Sequence, residues 1–164
     1  MEEKRKQFQR TEDGHLILMT PEERMLLIRD LTARIDYGVI CMIERVDDFG
    51  PMHRCEKLTG FCNEERGYFY FDFNYGLAVN FAEKVRPYLR SLEQLSEEEK
   101  ECRMKLIKDI KHGANIDKLE EFYLSHHIDY HGLIPKGLAA EALEGMYEIK
   151  QESEIPERPT SIEF

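Results

Sequence analysis

The chain reads as an α+β domain: one helix, then a small antiparallel, barrel-like sheet of about four or five strands, then a helical subdomain. Three observations predict this. Two helix starts are written as capping boxes, Thr20 with Glu23 and Ser96 with Glu99. Between them Phe69, Phe71 and Phe73 alternate with Tyr68, Tyr70 and Asp72, the period of a strand with one buried face. Turn signals bearing glycine or proline separate the β-prone runs closely enough for hairpins.

Residues 1–14 are polar and end in Glu12, Asp13 and Gly14, which predicts a flexible arm. His15 to Met19 is a short apolar run of strand character. Thr20 then caps a helix with Pro21 at its first position, and Met25, Ile28 and Leu31, with Leu27 and Ile35 beside them, mark its buried stripe over about 14 residues. From Tyr37 the pattern becomes that of a sheet. Val39 to Ile43 forms a first strand, Asp47 to Pro51 a turn, His53 to Phe61 a second strand, Tyr68 to Phe73 a third and Leu77 to Phe81 a fourth. Pro87 confines Val85 to Leu89 to an edge or a linker.

After Ser96 a helix should bury Cys102, Leu106, Ile107 and Ile110 and stop at Gly113. A shorter one from about Ile116 aligns Leu119, Phe122, Tyr123 and His126 on one face. Gly132 then turns the chain so that Leu133, Ile134 and Leu138 pack back, with Ala139 to Ala142 adding a helical turn. The expected organisation is a 1–14 arm, helix plus antiparallel sheet over 15–91, an acidic helical subdomain over 92–147 on the same core, and a flexible 148–164 tail.

At 164 residues one core is expected, burying roughly two thirds of the unfolded surface. The net charge of -10 is uneven: residues 1–91 hold 14 basic and 16 acidic groups, residues 92–164 hold 9 and 17. An acidic field disfavours nucleic-acid binding and favours solubility, a basic protein partner or mimicry of nucleic-acid charge; association as a homodimer is a separate expectation that this charge does not supply. Cys41, Cys55, Cys62 and Cys102 form no CxxC pair, and no apolar run approaches the roughly 18 residues of a membrane span, so a soluble cytoplasmic protein with reduced, buried thiols is expected.

Three segments carry a family resemblance: Leu31 to Val39, Val85 to Lys100, and Ser125 to Tyr147, the last with the pattern HH.DY.GLI..GLA. Together they resemble a family of small bacterial proteins often carried by phages and other mobile elements, to which no activity is assigned. This chain departs from that family's pattern at His131, where arginine is more usual, and at Asp36 and near Leu143, where proline is.

Chemistry concentrates at His126, His127, Asp129 and His131. All four are ligand types for zinc or a similar divalent ion, and His127 and His131 stand four apart, as two ligands on one helix would. Asp129, however, would project from the far side of a continuing helix. The competing reading is a helix C-terminus, where histidines complement the dipole and Gly132 supplies the turn. His127, Asp129 and His131 are therefore the candidate metal ligands, and a metal-dependent hydrolase is the alternative to the favoured function, a non-enzymatic, cofactor-free protein-binding domain with an acidic surface. Tyr68, Tyr70 and Tyr75 are the candidate partner-binding residues. Nucleophilic triads and phosphate-cradling glycine loops are absent in recognisable form.

Overall fold

Thr20 and Glu23 begin the first helix as their types require. In the computed structural model, which describes residues 19–47, 49–63, 69–74, 77–79 and 82–147, Glu23 N donates to Thr20 Oγ1 and Thr20 N to Glu23 Oε1. Helix α1 (Pro21–Ala33) buries Leu27 and Leu31 completely, and with them the charged Asp30. A short 3-10 turn over Ile35–Tyr37 and Gly38, at φ 71°, swing the chain into the sheet. The positive φ favours glycine at this position; a Cβ there would meet only the movable end of the Lys57 side chain.

The strands are β1 (Ile40–Asp47), β2 (Gly50–Asn63), β3 (Phe69–Phe73), β4 (Ala78–Val79), β5 (Val85–Leu89) and β6 (Ala140–Glu141), ordered β4-β3-β2-β1-β5-β6. The α+β class is as expected, but the sheet is not the four- or five-stranded, antiparallel, barrel-like one. Among the described residues it has six strands, stays open, and is mixed, because β6 runs parallel to β5. Both edge strands are two residues long, so shortness limits the exposed edges where curling of the sheet was expected to. Ala139 to Ala142 thus supplies a strand, not a helical turn, since the neighbouring β5 offers its free edge there.

One face of the sheet is the core: Cys41, Ile43, Leu58, Phe71, Phe73, Val79, Val85 and Leu89 meet Leu27 and Leu31 of α1 and Leu133, Ile134 and Leu138 from beyond the last helix. A register shift between Leu58 and Gly60 leaves Thr59 as an extra residue. That bulge reverses parity along β2, so Cys55 before it and Cys62 after it both fall on the outer face and are exposed; only Cys41 is the buried thiol expected of all three.

Pro87 is neither at an edge nor in a linker, because β5 lies between β1 and β6. Cys41 is opposite Pro87, so the next pair would be Ile40 with Tyr88. Tyr147 occupies that gap: Ile40 N donates to its Oη (2.8 Å), which donates to Tyr88 O (2.8 Å). Tyr88 therefore turns its backbone groups toward β1, and Pro87, one residue earlier, turns its nitrogen away, so no β1 ladder bond is lost.

Ser96 and Glu99 start α2 (Glu97–Lys111) with the expected reciprocal bonds. α2 buries no residue: Leu106, Ile107 and Ile110 are half-buried and Cys102 is exposed. The expected buried stripe is incomplete because α2 packs against α3 (Asp117–Ser125) and not on the sheet. Among the described residues no helix is long and apolar enough to cross a membrane. The expected arm, tail, strand at residues 15–18 and turn at 64–67 lie outside the described residues.

Replacing Tyr147 by Phe keeps the ring and removes the hydroxyl that joins β1 to β5. Urea unfolding should lose about 1–3 kcal/mol with an unchanged m-value, from orphaned Ile40 N and Tyr88 O; an unchanged midpoint would refute the bridging role.

Candidate functional site

α3 ends at Ser125, and the chain must then reverse. His126 closes the helix, and its Nδ1–H donates to Phe122 O (2.9 Å), since a carbonyl can only accept. His127 is the one described non-glycine residue at positive φ, 57°, a conformation that costs about 1 kcal/mol. The chain then runs beside β5: Arg90 N donates to His127 O (2.7 Å) and Asp129 N to Arg90 O (2.9 Å). Gly132, at φ 71°, completes the turn.

The side chains of the histidine segment take separate directions. His127 is buried and its ring stacks on Tyr147 with centroids 3.7 Å apart. Asp129 accepts Leu133 N (2.7 Å) on Oδ1 and Ile134 N (2.8 Å) on Oδ2, capping the turn that sends these two residues into the core. The exposed His131 bonds through Nδ1 to Asp30 Oδ1 (3.0 Å). The candidate ligands His127, Asp129 and His131 are thus assigned to Tyr147, two backbone amides and Asp30 respectively. Among the described residues no three His, Cys, Asp or Glu side chains are grouped to hold a metal. Of the candidate tyrosines, Tyr70 stands half-buried opposite Cys62 on the outer face of the sheet; Tyr68 and Tyr75 lie outside the described residues.

What the residue types alone did not single out is the pair beneath this segment. Asp30 and Arg34 are both 0% exposed. Arg34 Nε donates to Asp30 Oδ2 (2.7 Å) and Nη2 to Asp30 Oδ1 (3.1 Å) and to Ile128 O (2.6 Å). Its guanidinium carbon lies 5.6 Å from the centre of the Tyr130 ring. A signal for this existed: positions 27, 30, 31 and 34 are one helical face, so a charged pair four apart shares the stripe of Leu27 and Leu31. Burial by itself would push the Asp30 carboxyl up. The His131 hydrogen bond and the charge and hydrogen bonds of Arg34 outweigh it and hold the group below the ordinary carboxylate range.

Asp30 ionised can only accept, so His131 carries its proton on Nδ1 and turns Nε2, an acceptor when the ring is neutral, away from the carboxylate. A carboxylate-oriented imidazole of this kind can act as a base or as a single metal ligand. A second ion pair secures the other side of the segment. Arg90 is bidentate to Glu99 (2.8 and 2.8 Å) and also donates to His126 O and Gln94 O (both 3.1 Å). Burial raises the Glu99 carboxyl, but Arg90 and the Ser96 cap lower it further, to about 2.

Comparison with family models, with curated proteins and with solved structures gives no match for this chain.

Substituting Asp30 by Ala leaves Arg34 buried without its counter-charge and should cost about 3–5 kcal/mol; the Asp30→Ala, Arg34→Met double variant should cost less than the sum of the two single changes. An additive cycle from urea unfolding would show that the two are not coupled. His127 gives a second test. Burial first, then the charges of Arg34, Arg90 and His126, lower its pKa to about 4, whereas an unfolded histidine titrates near 6.5. Stability from the neutral ring is complete above about pH 6.5 and is lost as pH falls to about 4, by on the order of 2–3 kcal/mol. The Asp30 contribution fails only below the ordinary carboxylate range. Urea midpoints should therefore fall between pH 6.5 and 4, and His127→Asn, which tolerates positive φ, should flatten that limb; an unaltered slope would assign it to other groups.

Proposed function

We propose that the protein is a non-enzymatic accessory domain that binds another protein, with a basic partner favoured by the -10 net charge. The observation that supports this reading is the outer face of β2, β3 and β4. Cys55, Lys57, Cys62, Asp72 and Ala78 are exposed there around the half-buried Tyr70. Phenolic and apolar atoms beside mixed charge on an exposed sheet face suit a protein interface, where tyrosine gives contact area at little entropic cost. The resemblance to proteins carried by phages and mobile elements suits the same role, as does an acidic C-terminal half. The engaged state of His126 and Asp129, and the stacking of the buried His127 ring on Tyr147, favour architecture over catalysis in the histidine segment, although His127 Nδ1 has no hydrogen-bond partner among the described residues.

A photo-crosslinking residue in place of Tyr70, in the native cell, should capture a second protein in stoichiometric amount, and charge reversal at Lys57 with Asp72 should abolish that product. Absence of any heterologous product would refute the proposal. A melting temperature raised by zinc, manganese or nickel would instead support the metal-dependent hydrolase that uses His126, His127, Asp129 and His131.

A further inference from the structure

Helix α2 carries an outward stripe with an unusual order. Glu97, Glu101, Met104, Lys108 and Lys111 follow one another at spacings of four, three, four and three, so they share one helix face, and all five are exposed. The half-buried Arg103, Leu106 and Ile110 are on the opposite face, where Arg103 Nε donates to Tyr123 Oη of α3 (2.9 Å). The stripe reads acid, acid, apolar, base, base. Met104 is its centre and is 59% exposed.

We propose that this stripe is a docking surface for a second copy of the chain, with the two α2 helices packed antiparallel about a two-fold axis at Met104. Charge complementarity selects both the occupant and the direction. An antiparallel copy sets Glu97 against Lys111 and Glu101 against Lys108 twice over, with Met104 against its own counterpart. A parallel copy opposes like charges at every step. The surface is thus self-complementary, which is what a two-fold interface requires. The opposed helix dipoles point the same way. Glu97 already reaches Lys100 (3.2 Å), but its side chain is 88% exposed and keeps acceptor capacity for a second cation.

Two exposed apolar residues flank the helix, Leu92 before it at 41% and Ile116 after it at 61%. This interface is separate from the Tyr70 face and does not depend on the function proposed for it.

The test uses the full chain and sedimentation equilibrium, with circular dichroism to verify folding, since every altered residue is exposed. The unaltered chain should dimerise. An acidic variant, Lys108→Glu with Lys111→Glu, and a basic variant, Glu97→Lys with Glu101→Lys, should each dimerise at least about tenfold more weakly. Mixed in equal amounts, the two should form a heterodimer, because each now complements only the other. In a background with the exposed Cys55, Cys62 and Cys102 all changed to Ser, Met104→Cys should oxidise to a disulfide-linked dimer faster than Lys118→Cys does. A monomeric unaltered chain, a dimer insensitive to both variants, or no heterodimer on mixing would overturn the proposal.

Discussion

A guanidinium and a carboxylate shut completely away from water, Arg34 and Asp30 of α1, are the constraint from which the histidine segment takes its shape. Charges in that position need partners, and those that α1 does not supply come from far along the chain: Arg34 Nη2 claims the carbonyl of Ile128 and Asp30 the imidazole of His131, while Arg34 Nη1 stays buried without a hydrogen-bond partner among the described residues. Two residues of one helical turn thereby fix the path of a segment about a hundred residues later. Tyr130, lying between these two anchors, is brought over the guanidinium, and its phenol is pushed up to about 12, first by burial and then by the charges of Glu120 and Asp30.

The second ion pair gives the segment its other boundary. Arg90 ends β5 and meets the segment with its backbone as well as its side chain, while Glu99 delivers the first turn of α2 to the same place. His127 is caught between: its carbonyl belongs to β5, its ring to Tyr147, and its backbone is held at φ 57°. Strain of this kind persists only where surrounding contacts over-determine it. The two pairs supply those contacts, so the left-handed histidine follows from the frame.

Features decided by neighbours in sequence were legible in it. Both capping boxes, the buried Phe71 and Phe73, and the glycine turn at Gly132 formed as their residue types required. Features decided by distant partners were not. Ala140 and Glu141 have no strand character of their own and become β6 because β5 presents an edge. Pro87 reads as an edge residue until Tyr147 reveals which way the backbone of Tyr88 points. The four chemical residues at 126, 127, 129 and 131 were visible as types, but their directions depend on Phe122, Tyr147, two amides and Asp30, of which only the first lies within the same helix. Asp30 and Arg34 were legible in principle, through their place on the stripe of Leu27 and Leu31, but nothing near them in sequence reveals the Ile128 carbonyl and His131 imidazole that make their burial tolerable.

The hydroxyl of Tyr147 also sets a clock on biosynthesis. β1 and β5 are both translated long before it, and the residues that pair from Ile43 to Cys41 are all present once Leu89 has been made. Ile40 and Tyr88 cannot be joined until some sixty further residues have emerged. The bridge between β1 and β5 can therefore form only after the segment that bears both His127 and Tyr147 has been made.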